Sequence, residues 1–145
     1  MKAVLLVGIA ALLAVAVSTA DARGPVAEAS GKRPLLISNC AKAKFKPAAV
    51  IIACGDASLG ATGMTWSSWT QKSAVGTGTG EINDCTPDCV HGTTKRAPME
   101  LRLSKPVKCS NGKRIFAKLR YTWTAGAPVG PSSGSVPLGC KLFNL

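Results

Sequence analysis

The chain has 145 residues, with 18 Lys and Arg against seven Asp and Glu, a net charge of +11, six cysteines and a single histidine. A chain this size is one domain with room for a real core. One histidine excludes catalysis by a histidine pair, and the even cysteine count suits an oxidising compartment.

Lys2, the apolar run Ala3–Val17 and the end Ser18-Thr19-Ala20-Asp21-Ala22 have the order of a secretory signal peptide, with cleavage expected after Ala22. The run is shorter than the ~20 apolar residues that span a bilayer, and no second apolar segment of membrane length follows. The expected domain map is residues 1–22 signal peptide, 23–37 an N-terminal arm that is mobile up to Pro34, 38–124 β domain, and 125–145 a Gly/Pro/Ser-rich tail tethered through Cys140. Export removes Lys2 and Asp21 together, so the net charge stays at +11. A charge that large favours polyanionic partners or anionic surfaces, and it also serves solubility.

Within 23–37, Leu35-Leu36-Ile37 is apolar enough to pack at the domain edge. Lys42, Lys44 and Lys46 recur at period two before Pro47, so an extended segment puts them on one face, either as a solvated edge or as a binding strip. Ala48–Cys54 is short and β-branched, bounded by Pro47 and Gly55, and reads as a buried central strand. Gly60–Trp69 alternates. A regular strand would place Trp66 in the core and leave Trp69 as the exposed aromatic, whereas a bulge at Ser67-Ser68 would change that.

In Lys72–Asp84 one face carries Gly76, Gly78 and Gly80 between Ala74 and Ile82. Something bulky lies against such a face: a tryptophan from the preceding strand, or a ligand. Pro98–Ser104 alternates with Met99, Leu101 and Leu103 inward. Arg114–Thr124 follows with Ile115, Ala117, Leu119, Tyr121 and Trp123 inward, and Asn111-Gly112 marks the hairpin between them. The opposite face carries Arg102, Arg114, Phe116, Lys118 and Arg120, basic groups around an aromatic.

The fold class is therefore all-β: a small antiparallel sandwich or barrel stapled by disulfides. Six cysteines allow fifteen pairings; local pairs, Cys40–Cys54, Cys85–Cys89 and Cys109–Cys140, are favoured. The motifs Ile51-Ile52-Ala53-Cys54-Gly55-Asp56, Trp66-Ser67-Ser68-Trp69, Asn83-Asp84-Cys85-Thr86-Pro87-Asp88-Cys89 and Leu103-Ser104-Lys105-Pro106 resemble a group of small secreted actinobacterial proteins of unassigned function. The resemblance covers roughly residues 40–123. It implies export and a compact β domain, and it carries no activity and no catalytic residue.

Asp56, Asn83, Asp84 and Asp88 could supply calcium ligands, but no EF-hand spacing is present, and Asx residues beside turns more often cap backbone. Cys85-x3-Cys89 with His91 does not match a zinc pattern. No metal, cofactor or catalytic residue is assigned. The reading favoured is a secreted, non-enzymatic domain that binds an anionic glycan or envelope polymer rather than nucleic acid, through Arg102, Arg114, Phe116, Lys118, Arg120 and Trp69. The alternative is a small secreted hydrolase or inhibitor acting through the Cys54–Cys89 region.

Overall fold

The computed structural model describes residues 32–143; the expected signal peptide, the arm up to residue 31 and the last two residues lie outside them, as do the side chains of Leu142 and Phe143. The fold is all-β. Eight strands are β1 (Leu36–Ile37), β2 (Ala43–Lys44), β3 (Val50–Ile51), β4 (Leu59–Trp69), β5 (Ala74–Asn83), β6 (Thr94–Lys108), β7 (Arg114–Trp123) and β8 (Ser133–Pro137), followed by a 3-10 turn at Cys140–Phe143. Strands β3 to β8 form one curled antiparallel sheet in sequence order, and β1 and β2 pair separately.

The core lies on one face of the sheet. The alternation in β6 and β7 is realised: Met99, Leu101, Leu103, Ile115, Leu119 and Trp123 are all buried. Their hairpin closes where the sequence marks it, with Cys109 N–H bonded to Lys113 O at 2.8 Å and Gly112 at φ 80° in a left-handed turn that glycine adopts without a Cβ penalty. All six cysteines are bridged as Cys40–Cys54, Cys85–Cys89 and Cys109–Cys140, the local pattern.

Four expectations need correction. The run at Ala48–Cys54 is an edge strand and not a central one. Val50 and Ile52 are buried while Ile51 between them is exposed, so the run has one apolar face rather than two. The tail is not all linker: Ser133–Pro137 pairs with β7 as the opposite edge, Arg120 facing Ser135 and Tyr121 facing Gly134. A Cβ on Gly134 would lie 2.6 Å from the Tyr121 ring, so the small residue is what lets this strand lie close.

The third concerns the start of the domain: Leu35–Ile37 pack onto it, as their apolar sequence suggests, so it begins before residue 38. Leu36 and Ile37 are core residues, and Leu35 bonds along β7, its N–H to Arg114 O at 2.8 Å and Phe116 N–H to its carbonyl at 3.0 Å. The fourth concerns the tryptophans. β4 shifts register between Trp66 and Ser68, so Trp66 faces Gly76 and Trp69 faces Ala74 on the same, inner side. Ser67 takes up the extra position, as a bulge permits. Trp69 is 5% exposed and Trp66 is the half-buried one, the reverse of the regular-strand expectation.

Trp66 then covers Gly76, as a tryptophan from the preceding strand should. Gly78 sits under Met64, and Gly80 under Trp123 and Met99. The glycine face is thus filled by the protein's own side chains along its length.

Candidate functional site

The residues expected to form one basic face do not share one environment. Arg102 and Arg120 are opposite each other on β6 and β7, and Lys118 lies next to them, all three exposed on the face away from the core. Arg102, however, donates to Glu100 at 2.7 Å, which removes part of that charge from the face. Arg114 is half-buried and donates to Gln71 of the β4–β5 turn.

Phe116 is 0% exposed and cannot serve as an aromatic between arginines. The alternation of β7 breaks here: two successive residues, Ile115 and Phe116, are both buried, and both belong to the core. Leu35 pairs with the edge of β7 at this point, in a parallel bridge to Ile115. Trp69 is likewise interior: it meets Phe116 edge-on at 5.6 Å and Trp66 at 4.7 Å, and its indole N–H donates to Pro34 O at 2.8 Å.

The exposed aromatic is Phe45, 45% exposed. One edge of its ring packs against Trp69 at 5.2 Å and 64°. The Arg33 guanidinium lies 6.0 Å and the Lys46 ammonium 5.7 Å from its centroid, within cation–π reach. Around it opens a cleft of about 400 Å³ lined by Lys32, Arg33, Leu35, Phe45, Lys113 and Arg114. No carboxylate lines it. The signal for Phe45 was present in the sequence as an aromatic between Lys44 and Lys46, but the period-two lysines suggested a single strip. They diverge instead: Lys46 takes a left-handed φ of 45° and turns over the Phe45 ring, while Lys44 lines a different groove.

That second groove, about 550 Å³, runs beside β3 and the far ends of β4 and β5, with Ser38, Asn39, Lys44, Asp56, Thr62, Glu81, Asn83 and Thr94 on its walls. Its polar groups are largely committed. Glu81 accepts from Arg96 at 2.9 Å, Asp56 Oδ1 from the Ser58 N–H at 3.0 Å, and Asn83 spans from the Cys85 N–H to the Cys89 carbonyl.

The neighbouring loop is built the same way. Asp84 Oδ1 accepts from Thr86 and Thr93 N–H, and its other oxygen meets Lys95 at 3.5 Å. Asp88 accepts from the Val90 and His91 amides and from the His91 ring at 2.9 Å. The carboxyls respond as acceptors should. The Thr93 amide holds Asp84 below its ordinary 3.8, the His91 ring does so for Asp88, and the Ser58 amide for Asp56. These Asx residues are backbone caps.

Asp56 lies within 4.8 Å of the sulfurs of Cys85 and Cys89, but disulfide sulfurs are not thiolate ligands. Asp88 orients His91 as a base is oriented in a triad, yet among the described residues no Ser or Thr hydroxyl bonds to that ring.

Charge is sorted along the sheet. Asp56, Glu81, Asp84 and Asp88 lie where β5 meets β6, together with Lys95 and Arg96, which pair with two of them. At the other end of β6 and β7 stand Lys105, Lys108, Lys113 and Arg114, with the Phe45 cleft alongside. Comparisons of the chain with protein-family models, with curated proteins and with solved structures find no match.

Proposed function

We propose that the protein is a secreted, non-enzymatic β domain that binds an anionic polymer of the cell envelope or extracellular space through its basic end. The single observation that carries this is the cleft around Phe45, framed by Lys32, Arg33, Lys46, Lys113 and Arg114, with no carboxylate among its lining residues and with Glu81 and Asp84 paired to Arg96 and Lys95 at the other end of the sheet. Cations set around an aromatic, in a cleft with no carboxylate among its lining residues, present a positive field that favours an anion. Three disulfides suit an oxidising compartment, and among the described residues no helix is long and apolar enough to cross a membrane. The resemblance to exported actinobacterial domains points the same way. Relative to the sequence reading, the partner class is kept, Arg114 is retained, and the aromatic becomes Phe45.

The test is retention on an immobilised polyanion such as heparin over a range of salt. Affinity should fall steeply as salt rises. Lys113→Ala and Lys32→Ala should each weaken binding about fivefold, the effect of ~1 kcal/mol per cation near an anionic surface. Lys118→Ala and Arg120→Ala should change it less than twofold. Salt-independent retention would sink the electrostatic reading, and a larger loss from Arg120→Ala would move the site to the face away from the core.

A further inference from the structure

We infer that the anionic partner of the basic end is a lipid bilayer, with the Phe45 ring as the side chain that enters the headgroup region; this rests on the polyanion reading above and narrows it. A hydrated soluble polyanion needs only the cations. It draws little on the apolar surface of an aromatic left 45% exposed in a cleft that Leu35 and Phe45 help to line. A bilayer uses both parts. Anionic headgroups meet Lys32, Lys113 and Arg114 at the rim, and lysine and arginine keep their charge at the headgroups while their methylene stems lie against apolar surface. Aromatic rings concentrate at the same depth.

Phe45 is also positioned in advance. Its ring packs against Trp69 at 5.2 Å, and Trp69 is itself held by its hydrogen bond to Pro34 O. Little side-chain freedom is therefore lost on docking, which raises affinity for a given contact area. Asp84 and Glu81, which a negatively charged surface would repel, are beside the start of β6, at the far end of a 15-residue strand.

The experiment is co-sedimentation of the protein with vesicles of phosphatidylcholine alone or with phosphatidylglycerol added, beside heparin affinity measured on the same samples. The inference expects binding to the phosphatidylglycerol vesicles and none to pure phosphatidylcholine. Phe45→Ala should lower vesicle partitioning about tenfold, the share expected for a half-exposed ring moved out of water, and should lower heparin affinity by clearly less. Phe45→Leu, which keeps apolar surface, should retain most vesicle binding. Heparin binding without vesicle binding would overturn the bilayer inference and leave the polyanion reading standing, and binding to neither would end both. Equal losses on vesicles and heparin in Phe45→Ala would make Phe45 a support of the cleft, and the inference would fail. Equal binding to phosphatidylcholine would remove its electrostatic half.

Discussion

At the scale of single residues, the glycines of β5 show most directly how sequence specifies this core. A Cβ on Gly80 would stand 2.4 Å from the Trp123 ring and 2.5 Å from the Met99 methyl, and one on Gly76 would stand 2.6 Å from Trp66. The rings are packed on several sides and have nowhere to go. Gly80→Ala should therefore destabilise the domain by about 1–3 kcal/mol, the cost of overpacking, read as a lower urea midpoint. Gly55→Ala, with nothing within 4 Å, should stay within ~0.5 kcal/mol. The glycine period was legible because it repeats on one strand face. That Trp123 covers Gly80 was not, since it depends on two intervening ladders, β5–β6 and β6–β7.

Also at this scale, Asp56, Asp84 and Asp88 titrate below their ordinary 3.8 in the folded protein. Their contribution is therefore present above that value and is lost as pH falls through the lowered one. The melting temperature should be flat from pH 7 to 5 and decline below about pH 4. Asp84→Asn keeps an oxygen for the Thr86 and Thr93 amides but cannot titrate, so its curve should decline less. An unchanged acid slope in that variant would mean that Asp84 carries none of the effect.

Elements were read as well as their hydrophobic patterns allowed. β6 and β7 alternate apolar and polar residues, and that pattern alone sets their inner face. β8 has no such pattern: Ser133-Gly134-Ser135-Val136-Pro137 is an edge, and its place comes from pairing with β7 and from the Cys109–Cys140 bridge behind it. Neither a ladder nor a disulfide partner is visible in local composition. The bulge at Ser67 had the same limitation, because a two-serine run is compatible with either register.

The disulfides should then differ in what they secure. Loop-closure entropy grows with the residues enclosed, and the separations are 31, 14 and four for Cys109–Cys140, Cys40–Cys54 and Cys85–Cys89. The chain-entropy relation gives roughly 4, 3 and 2 kcal/mol in that order. Replacing Cys109 and Cys140 with serine should lower stability most and should release β8 first, seen as loss of amide-exchange protection at Ser135 and Val136 while β5 stays protected. Simultaneous loss across the sheet would show that β8 and the core open as one unit.

For the whole molecule, the question is whether binding follows the net charge or the local arrangement, and screening separates the two. At physiological salt the Debye length is about 8 Å, and at 10 mM it is about 30 Å. β6 has 15 residues, so its ends are on the order of 45 Å apart at ~3.3 Å per residue. Asp88 sits beyond one end and Lys113 beyond the other. Asp88→Asn makes the chain more positive by one charge and keeps an acceptor for the Val90 and His91 amides. At 0.15 M salt it should leave polyanion affinity unchanged, because several Debye lengths of solution separate it from the cleft. Lys113→Glu should weaken binding by more than tenfold under the same conditions, since it places a carboxylate on the cleft wall. At 10 mM salt the distant charge is felt in part, and Asp88→Asn should begin to strengthen binding. If it strengthened binding at 0.15 M as much as it does at 10 mM, affinity would track the summed charge of the protein, and the sorting of charge along the sheet would have no part in recognition.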